Sequence, residues 1–386
     1  MDHEANRIFF ALLRSAICQT SLTEEERKGY CPEWLPDLLR QGSQHDVAHL
    51  LVLGLKKNAW IPEGDRALEK LLFKTVYRHE RLRQEYENLC HALENAQIPF
   101  MPLKGAVICR YYPETWMRTS CDIDVLVHRE DLERAVECLT DQLQYVKKER
   151  TTHDVSLFSS TGVHVELHFD LVEEGRANQS IQVLSSVWKH AEPYDGYKYF
   201  YEMSREFFYF YHVAHMAKHF ENGGCGVRPL IDLWILDSLK DMDLSACDDL
   251  LSRGGLLTFA QQSRILSQVW FGGRKPNALS CQMQDFILHG GVYGSTDNRV
   301  ALQQGKKGGR VGYLLSRIFI PYEKLKRYYP ILEKHKWLTP LMQVRRWLML
   351  LNSNVRSMAR REISAGGSLS DERVKGVQDL LEQIGL

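Results

Sequence analysis

The sequence predicts an α+β protein: a small mixed-sheet core flanked by N-terminal and C-terminal helical regions. Three observations carry this. Apolar residues recur three or four apart through residues 1–95. From residue 97 the pattern changes to short apolar runs and period-two alternation, punctuated by Pro and Gly. Helical spacing returns at Glu202 and persists to the end. The expected divisions are therefore 1–95, 96–195 and 196–386.

In the N-terminal region Ile8, Phe9, Leu12, Leu13 and Ile17 mark a first helix. Further helices are expected over 34–39 and 45–57. A long amphipathic helix is expected over 65–95, with Leu68, Leu72, Leu82, Tyr86, Leu89 and Leu93 on its apolar face. These positions read as packing alone.

The core begins with the apolar run 98–103, where Pro99 and Pro102 disfavour a helix. A strand is expected over 122–127 and an amphipathic helix over 130–143, on Leu132, Val136, Leu139 and Leu143. Strands follow at 145–150, 155–159 and 163–169, the last two forming a hairpin with Gly162 in its turn. In the C-terminal region the paired glycines at 223–224, 272–273, 290–291 and 308–309 break the helical pattern.

Composition bounds the function classes. The formal net charge is zero, so overall charge singles out no partner. The nine cysteines are scattered with no C-x-x-C pair, which fits reduced thiols rather than a disulfide framework or zinc cage. The acidic start Met1-Asp2-His3-Glu4 lacks a secretory leader pattern, and no apolar run reaches the ~18 residues that span a bilayer. A cytoplasmic location is the expectation.

The chemistry concentrates in the core. Asp122 and Asp124 sit two apart in Asp-Ile-Asp-Val-Leu-Val, so a strand projects both carboxylates from one face and buries Ile123, Val125 and Val127 on the other. Carboxylates held that close call for a cation, and Mg²⁺ takes one or two of them with substrate phosphate oxygens. The alternative is an edge strand bearing two solvated acids. In 163–170, Val163, Val165, Leu167 and Phe169 form one face and His164, Glu166, His168 and Asp170 the other. Glu166 beside Asp122 and Asp124 would complete a three-carboxylate site for metal-assisted nucleotidyl transfer. A solvated surface strand remains open for His164 and Asp170.

Ahead of the acids stands Pro102-Leu103-Lys104-Gly105-Ala106, a strand end followed by a glycine that opens a helix. The glycine lets backbone approach a ligand, the helix start presents N–H groups to an anion, and Lys104 adds a point charge for phosphate. Arg118, in a loop before Asp122, either contacts phosphate or neutralises the acids when metal is absent.

These residues resemble the polymerase-beta-type nucleotidyltransferase superfamily, and within it a bacterial group of uncharacterised nucleotidyltransferases. The resemblance rests on Leu103-Lys104-Gly105, Arg118, Asp122-Ile123-Asp124-Val125-Leu126-Val127 and Glu166-Leu167-His168. It extends to His215-x-x-x-His219, Arg228 and Asp232-Leu233, and to Phe319-Ile320-Pro321, Tyr329-Pro330, Pro340 and Arg345 in the C-terminal part. The wider superfamily carries Gly-Ser or Gly-Gly at the helix start; here Lys104-Gly105 stands there, which implies that Lys104 replaces the serine contact by charge.

The resemblance implies Mg²⁺ (or Mn²⁺)-dependent transfer of a nucleoside monophosphate from NTP to an acceptor hydroxyl, with release of pyrophosphate. Asp122, Asp124 and Glu166 would hold metal, and Glu166 would help deprotonate the acceptor. Lys104 and the Gly105 amide would bind phosphates, with Arg118 and His168 as further phosphate or acceptor contacts. The alternative is a catalytically degenerate module of the same fold that binds RNA or a protein partner.

Two other features stand out. His212, His215 and His219 share one face of a helix expected over 207–220. No Glu lies between His215 and His219 to make a zinc-protease signature, so a cleft lining or packing role competes with a zinc site. Arg228 and Asp232 either brace one another or Arg228 reaches the nucleotide. Residues 305–361 carry fourteen Lys/Arg against Glu323 and Glu333, with seven Tyr, Phe and Trp interleaved. That mixture suits RNA or another polyanion. Packing on the acidic remainder, a solvated face, or a membrane surface at 337–351 are the competing readings.

Overall fold

Five strands build the sheet: β1 (Phe100–Pro102), β2 (Asp122–Val127), β3 (Val146–Arg150), β4 (Asp154–Phe158) and β5 (His164–His168), in the order β1-β2-β5-β4-β3. The computed structural model describes residues 3–61, 64–172, 179–349 and 369–386. β2 and β5 are parallel and the remaining pairs antiparallel, so the sheet is mixed as expected. A parallel pair needs a long crossover. The helix Leu132–Gln142 and the β3–β4 hairpin supply it. β4 returns into β5 at Gly162, whose φ of +80° a side chain would resist.

The period-two pattern sorts the two faces. Ile123, Val125, Val127, Val155, Leu157, Val165 and Leu167 share one buried cluster. Leu89 and Leu93 of the helix Arg66–Asn95, and Ala135 and Leu139 of the helix Leu132–Gln142, pack on it. Each Val, Leu or Ile among them contributes about 1.5–3 kcal/mol on burial. A one-residue slip of β2 or β5 would turn this whole set outward, so the register is strongly specified. The opposite face is left to Asp122, Asp124, His164, Glu166 and His168.

The N-terminal helices run His3–Ile17, Leu35–Gln44, Ala48–Lys57 and Arg66–Asn95. Asp65 starts the last of them by accepting from the Ala67 and Leu68 amides. One N-terminal helix escaped the sequence reading, Glu24–Gly29. Its capping box, Thr23 with Glu26, stands in the sequence, but its buried residue is Glu26, paired with Arg14 at 2.7 Å, so no apolar period announces it. A second correction falls at 202. Tyr201–Met203 is a strand, β7, pairing with β6 (Ala191–Pro193), and the helix begins only at Arg205.

The chain divides into two compact units, Met1–Ala217 with Val227–Ser280, and Lys218–Gly226 with Cys281–Leu386. The first holds the N-terminal helices, the sheet and the helices Arg228–Asp237, Leu244–Arg253 and Leu257–Phe271. In the second, Val300 and Tyr313 form one small core and Leu325, Tyr329, Leu332 and Met342 another. There the basic and aromatic residues partly serve each other. Lys336 lies over the Tyr322 ring and Arg345 over that of Tyr329, while Arg346 donates to the Arg317 carbonyl at 2.7 Å. Arg356, Arg360 and Arg361 of the basic segment lie outside the described residues. None of the nine cysteines is in a disulfide. Among the described residues no helix is long and apolar enough to cross a membrane.

Candidate active site

The parallel register sets Asp124 of β2 opposite Glu166 of β5, and Asp122 opposite His164. Because each strand projects alternate residues from one face, Asp122, Asp124, Glu166, His164 and His168 come together there. Two groups form, each with ligand atoms within 4.8 Å of one another: Asp122 with His164 and Glu166, and Asp124 with Glu166 and His168. Glu166 is common to both. Asp124 is buried at 3% exposure, while Asp122 and Glu166 are half-buried.

Lys104 reaches this face from the end of β1. Its Nζ donates to Asp124 Oδ1 at 2.9 Å, and His168 Nε2 donates to the same oxygen at 2.9 Å, with Glu166 Oε2 at 3.4 Å. Leu103 N donates to the Asp124 carbonyl at 2.9 Å, tying the backbone before Lys104 to β2. Lys104 itself has φ +44° and ψ −114°, a region that disfavours any residue with a Cβ. Such strain costs on the order of 1–3 kcal/mol and persists where surroundings over-determine it. Here the backbone bond on one side and the ion pair on the other hold it.

The charges follow from this packing. Burial acts to raise the Asp124 carboxyl, but Lys104 and His168 outweigh it and hold it well below the usual carboxylate range. Asp122 goes the other way: burial pushes it up, the Asp124 charge adds to this, and Lys104 only partly opposes it. Burial acts to lower His168, yet its bonds to Asp124 and Glu166 raise it. Burial likewise acts against the Lys104 ammonium, and Asp124 more than reverses this. Three carboxylates therefore share this face with one lysine and two histidines, His164 and His168.

The sequence reading missed three residues, Tyr211, His153 and Asp154. Tyr211, on the helix Arg205–Phe220, is buried, and its phenol is pushed up by burial, with Lys104 opposing and Asp124, Glu166 and Asp122 adding. Its one signal is position, a helical turn before His215. His153 and Asp154 form a further group with His168. They stand at the start of β4, where Asp154 registers against His168, a pairing visible only once the hairpin is aligned.

Other predicted residues lie elsewhere. Arg118 is 9% exposed, and its guanidinium goes to Asp232, with Nη2–Oδ2 at 3.0 Å, and to the Thr119 carbonyl and Ser120 Oγ. It bonds neither Asp122 nor Asp124. Tyr112 OH donates to the same Asp232 at 2.6 Å. Of the two roles open to Arg228, a brace to Asp232 or a nucleotide contact, the brace is taken by Arg118, while Arg228 holds the Thr119 carbonyl at 2.9 Å and Asp46 at 3.2 Å. Gly105 is required by the chain itself, since a Cβ there would stand 2.3 Å from Ser120 Oγ and 2.6 Å from Arg118 Nη1. His164 Nε2 meets Ser156 Oγ at 2.7 Å, and Asp170 pairs with Arg129 at 3.2 Å. His212 Nε2 donates to the Pro229 carbonyl at 2.9 Å. The His215 ring lies 6.3 Å from Tyr211 and that of His219 6.5 Å from Tyr293. Among the described residues, the groups able to hold a metal do not include these three histidines.

The donor set fits a hard divalent cation. Asp122, Asp124 and Glu166 offer carboxylate oxygens, and both side-chain bonds to Asp124 fall on Oδ1, none of the described side chains bonding Oδ2. The chain matches no curated protein and no solved structure. It does match the family described as uncharacterised nucleotidyltransferase, over residues 33–272. That span covers the sheet, the acids and the Arg228–Asp232 segment, and leaves Phe319 to Arg345 outside. With well over half its length matched, the chain belongs to the uncharacterised nucleotidyltransferase family.

Proposed function

We propose that this protein transfers a nucleoside monophosphate from a nucleoside triphosphate to an acceptor hydroxyl, releasing pyrophosphate. The observation that carries this is the register of Asp124 against Glu166 across two parallel strands, with Asp122 on the same face. Asp122, Asp124 and Glu166 would hold Mg²⁺ or Mn²⁺, which when bound supplies charge neutralisation for the phosphates and an acidified acceptor hydroxyl.

The chain's own residues divide the remaining work. Glu166 accepts the acceptor's proton. Lys104, with one of its three N–H donors on Asp124, keeps others for a phosphate oxygen. The Gly105 amide lies at the start of the short helix Gly105–Ile108, beside Lys104. His168 positions Asp124 through its bond to Oδ1. Arg118, Arg228 and Asp232 act on the fold of the loop before β2.

The test is incubation with each labelled NTP, Mg²⁺ and cell lysate. Label entering small molecules, RNA or protein fixes the acceptor class, and no labelled product from any NTP contradicts the proposal. One observation favours a second reading. Lys104 and His168 already neutralise much of Asp124, as in an internal ion cluster. A degenerate module would instead hold RNA or a protein partner through residues 305–361. It requires salt-dependent binding that survives Asp122→Asn and Asp124→Asn together.

A further inference from the structure

A cleft of about 430 Å³ opens among the N-terminal helices. One wall is the helix Arg66–Asn95, which presents Lys70, Lys74 and Arg78 at four-residue spacing, along one stripe. Arg78 is already paired, with Asp46 at 3.0 Å, and Asp46 is further balanced by Arg228 at 3.2 Å. Lys70 and Lys74 have no ion pair among the described residues, so the cleft carries uncompensated positive charge.

Acceptors line the cleft as well, Thr75 on the same helix as the lysines and Ser43 and His49 opposite it. Ser43 and Thr75 donate their hydroxyl hydrogens to the Leu39 and Leu71 carbonyls, at 2.8 and 3.0 Å, which leaves their oxygens to accept. His49 lines the cleft and is 3% exposed. Its Nε2 lies 2.7 Å from the Met117 carbonyl oxygen, so the proton sits on Nε2 and Nδ1 is a bare acceptor. Burial pushes this imidazole down to about 4, which keeps it neutral. Among the described residues no group bonds Nδ1, and the atom is not sealed from solvent, so it is open to a donor entering the cleft.

We infer that this cleft binds a small phosphorylated polyol, its phosphate on Lys70 and Lys74 and its hydroxyls donating to His49 Nδ1, Ser43 Oγ and Thr75 Oγ1. Lysines without acids select an anion, and three bare acceptors select a ligand rich in O–H donors. Inorganic phosphate fulfils only the first requirement, and an uncharged sugar only the second. The site is separate from the carboxylate face and does not depend on the transfer chemistry proposed above.

Calorimetry on the full chain tests this with four probes: ribose 5-phosphate, glycerol 3-phosphate, inorganic phosphate and ribose. The phosphorylated polyols are expected to bind at least about tenfold more tightly than inorganic phosphate or ribose, and Lys70→Glu with Lys74→Glu to weaken them by at least about tenfold. Both lysines are exposed, so an unchanged Tm shows that the double variant is folded. Binding should be indifferent to saturating Mg²⁺ and NTP. The inference is overturned if neither phosphorylated polyol binds, if inorganic phosphate binds as tightly, if the double variant binds normally, or if Mg²⁺ with NTP displaces the probe.

Discussion

Lys104 holds Asp124 across the gap between β1 and β2, Nζ to Oδ1 at 2.9 Å, from a backbone conformation with φ +44°. The strain and the ion pair occur in one residue, so the pair sets the position of the carboxylate that registers against Glu166. Lys104→Met removes the ammonium and leaves Asp124 buried beside Glu166. Stability should fall by about 3 kcal/mol in urea denaturation, as for a broken buried ion pair. Added Mg²⁺ should raise the Tm of the variant more than that of the wild type, because the cation then meets an unshielded acid. An equal rise in both would show that Lys104 and the cation do not share the site.

Arg118 and Asp232 form a buried pair with 9% and 1% side-chain exposure. Arg118→Lys keeps the charge but loses the fork that also serves Thr119 and Ser120. A loss of about 2–3 kcal/mol is expected. Asp232→Asn leaves the guanidinium without its counter-charge and should cost about 3–5 kcal/mol. In a double-mutant cycle the two should couple strongly. Losses in NTP affinity without loss of stability would instead assign Arg118 to the substrate.

Gly105→Ala introduces a Cβ where Ser120 Oγ and Arg118 Nη1 already stand, at 2.3 and 2.6 Å. The arginine cannot swing away, being held by Asp232. A loss of about 1–3 kcal/mol is expected from overpacking. Ser120→Gly in the same chain removes the nearer contact and should restore part of it, read as a rise in Tm over the single variant.

His49 makes stability depend on pH. Its folded value of about 4 lies below the ordinary 6.5. The unfolded state therefore binds more protons between these values, so stability rises with pH through that window. The contribution is complete above pH 6.5 and is lost as pH falls toward 4. It amounts to about 3 kcal/mol. His49→Gln, whose amide can still donate to the Met117 carbonyl, should show a flatter Tm profile between these limits. An identical slope in both proteins would contradict the burial of a neutral imidazole.

What was legible in the sequence was whatever has a period. Ile123, Val125 and Val127 alternate with two acids, and Val163, Val165 and Leu167 alternate with His164, Glu166 and His168, so the two strands and their polar face followed from spacing. The long apolar period over 65–95 gave the helix Arg66–Asn95 to within one residue of its start. Pairings between distant residues leave no such trace. Nothing near Arg118 indicates that its partner is Asp232, or that Lys104 turns to Asp124 rather than outward. Tyr211 lies in a buried aromatic run, and nothing in the run singles out the one whose phenol feels the charges of the site. The helix Glu24–Gly29 is held by a polar cap and an ion pair, which hydrophobic spacing does not record.

The central claim is that the carboxylate face binds a metal–nucleotide complex. Calorimetric titration of the full chain with each NTP, with and without Mg²⁺, tests it most directly. Mg²⁺-dependent binding of at least one NTP is expected, weakened at least about tenfold in Asp122→Asn by the loss of one carboxylate from a shared cation site. No Mg²⁺-dependent NTP binding, or binding unchanged in Asp122→Asn, would contradict it.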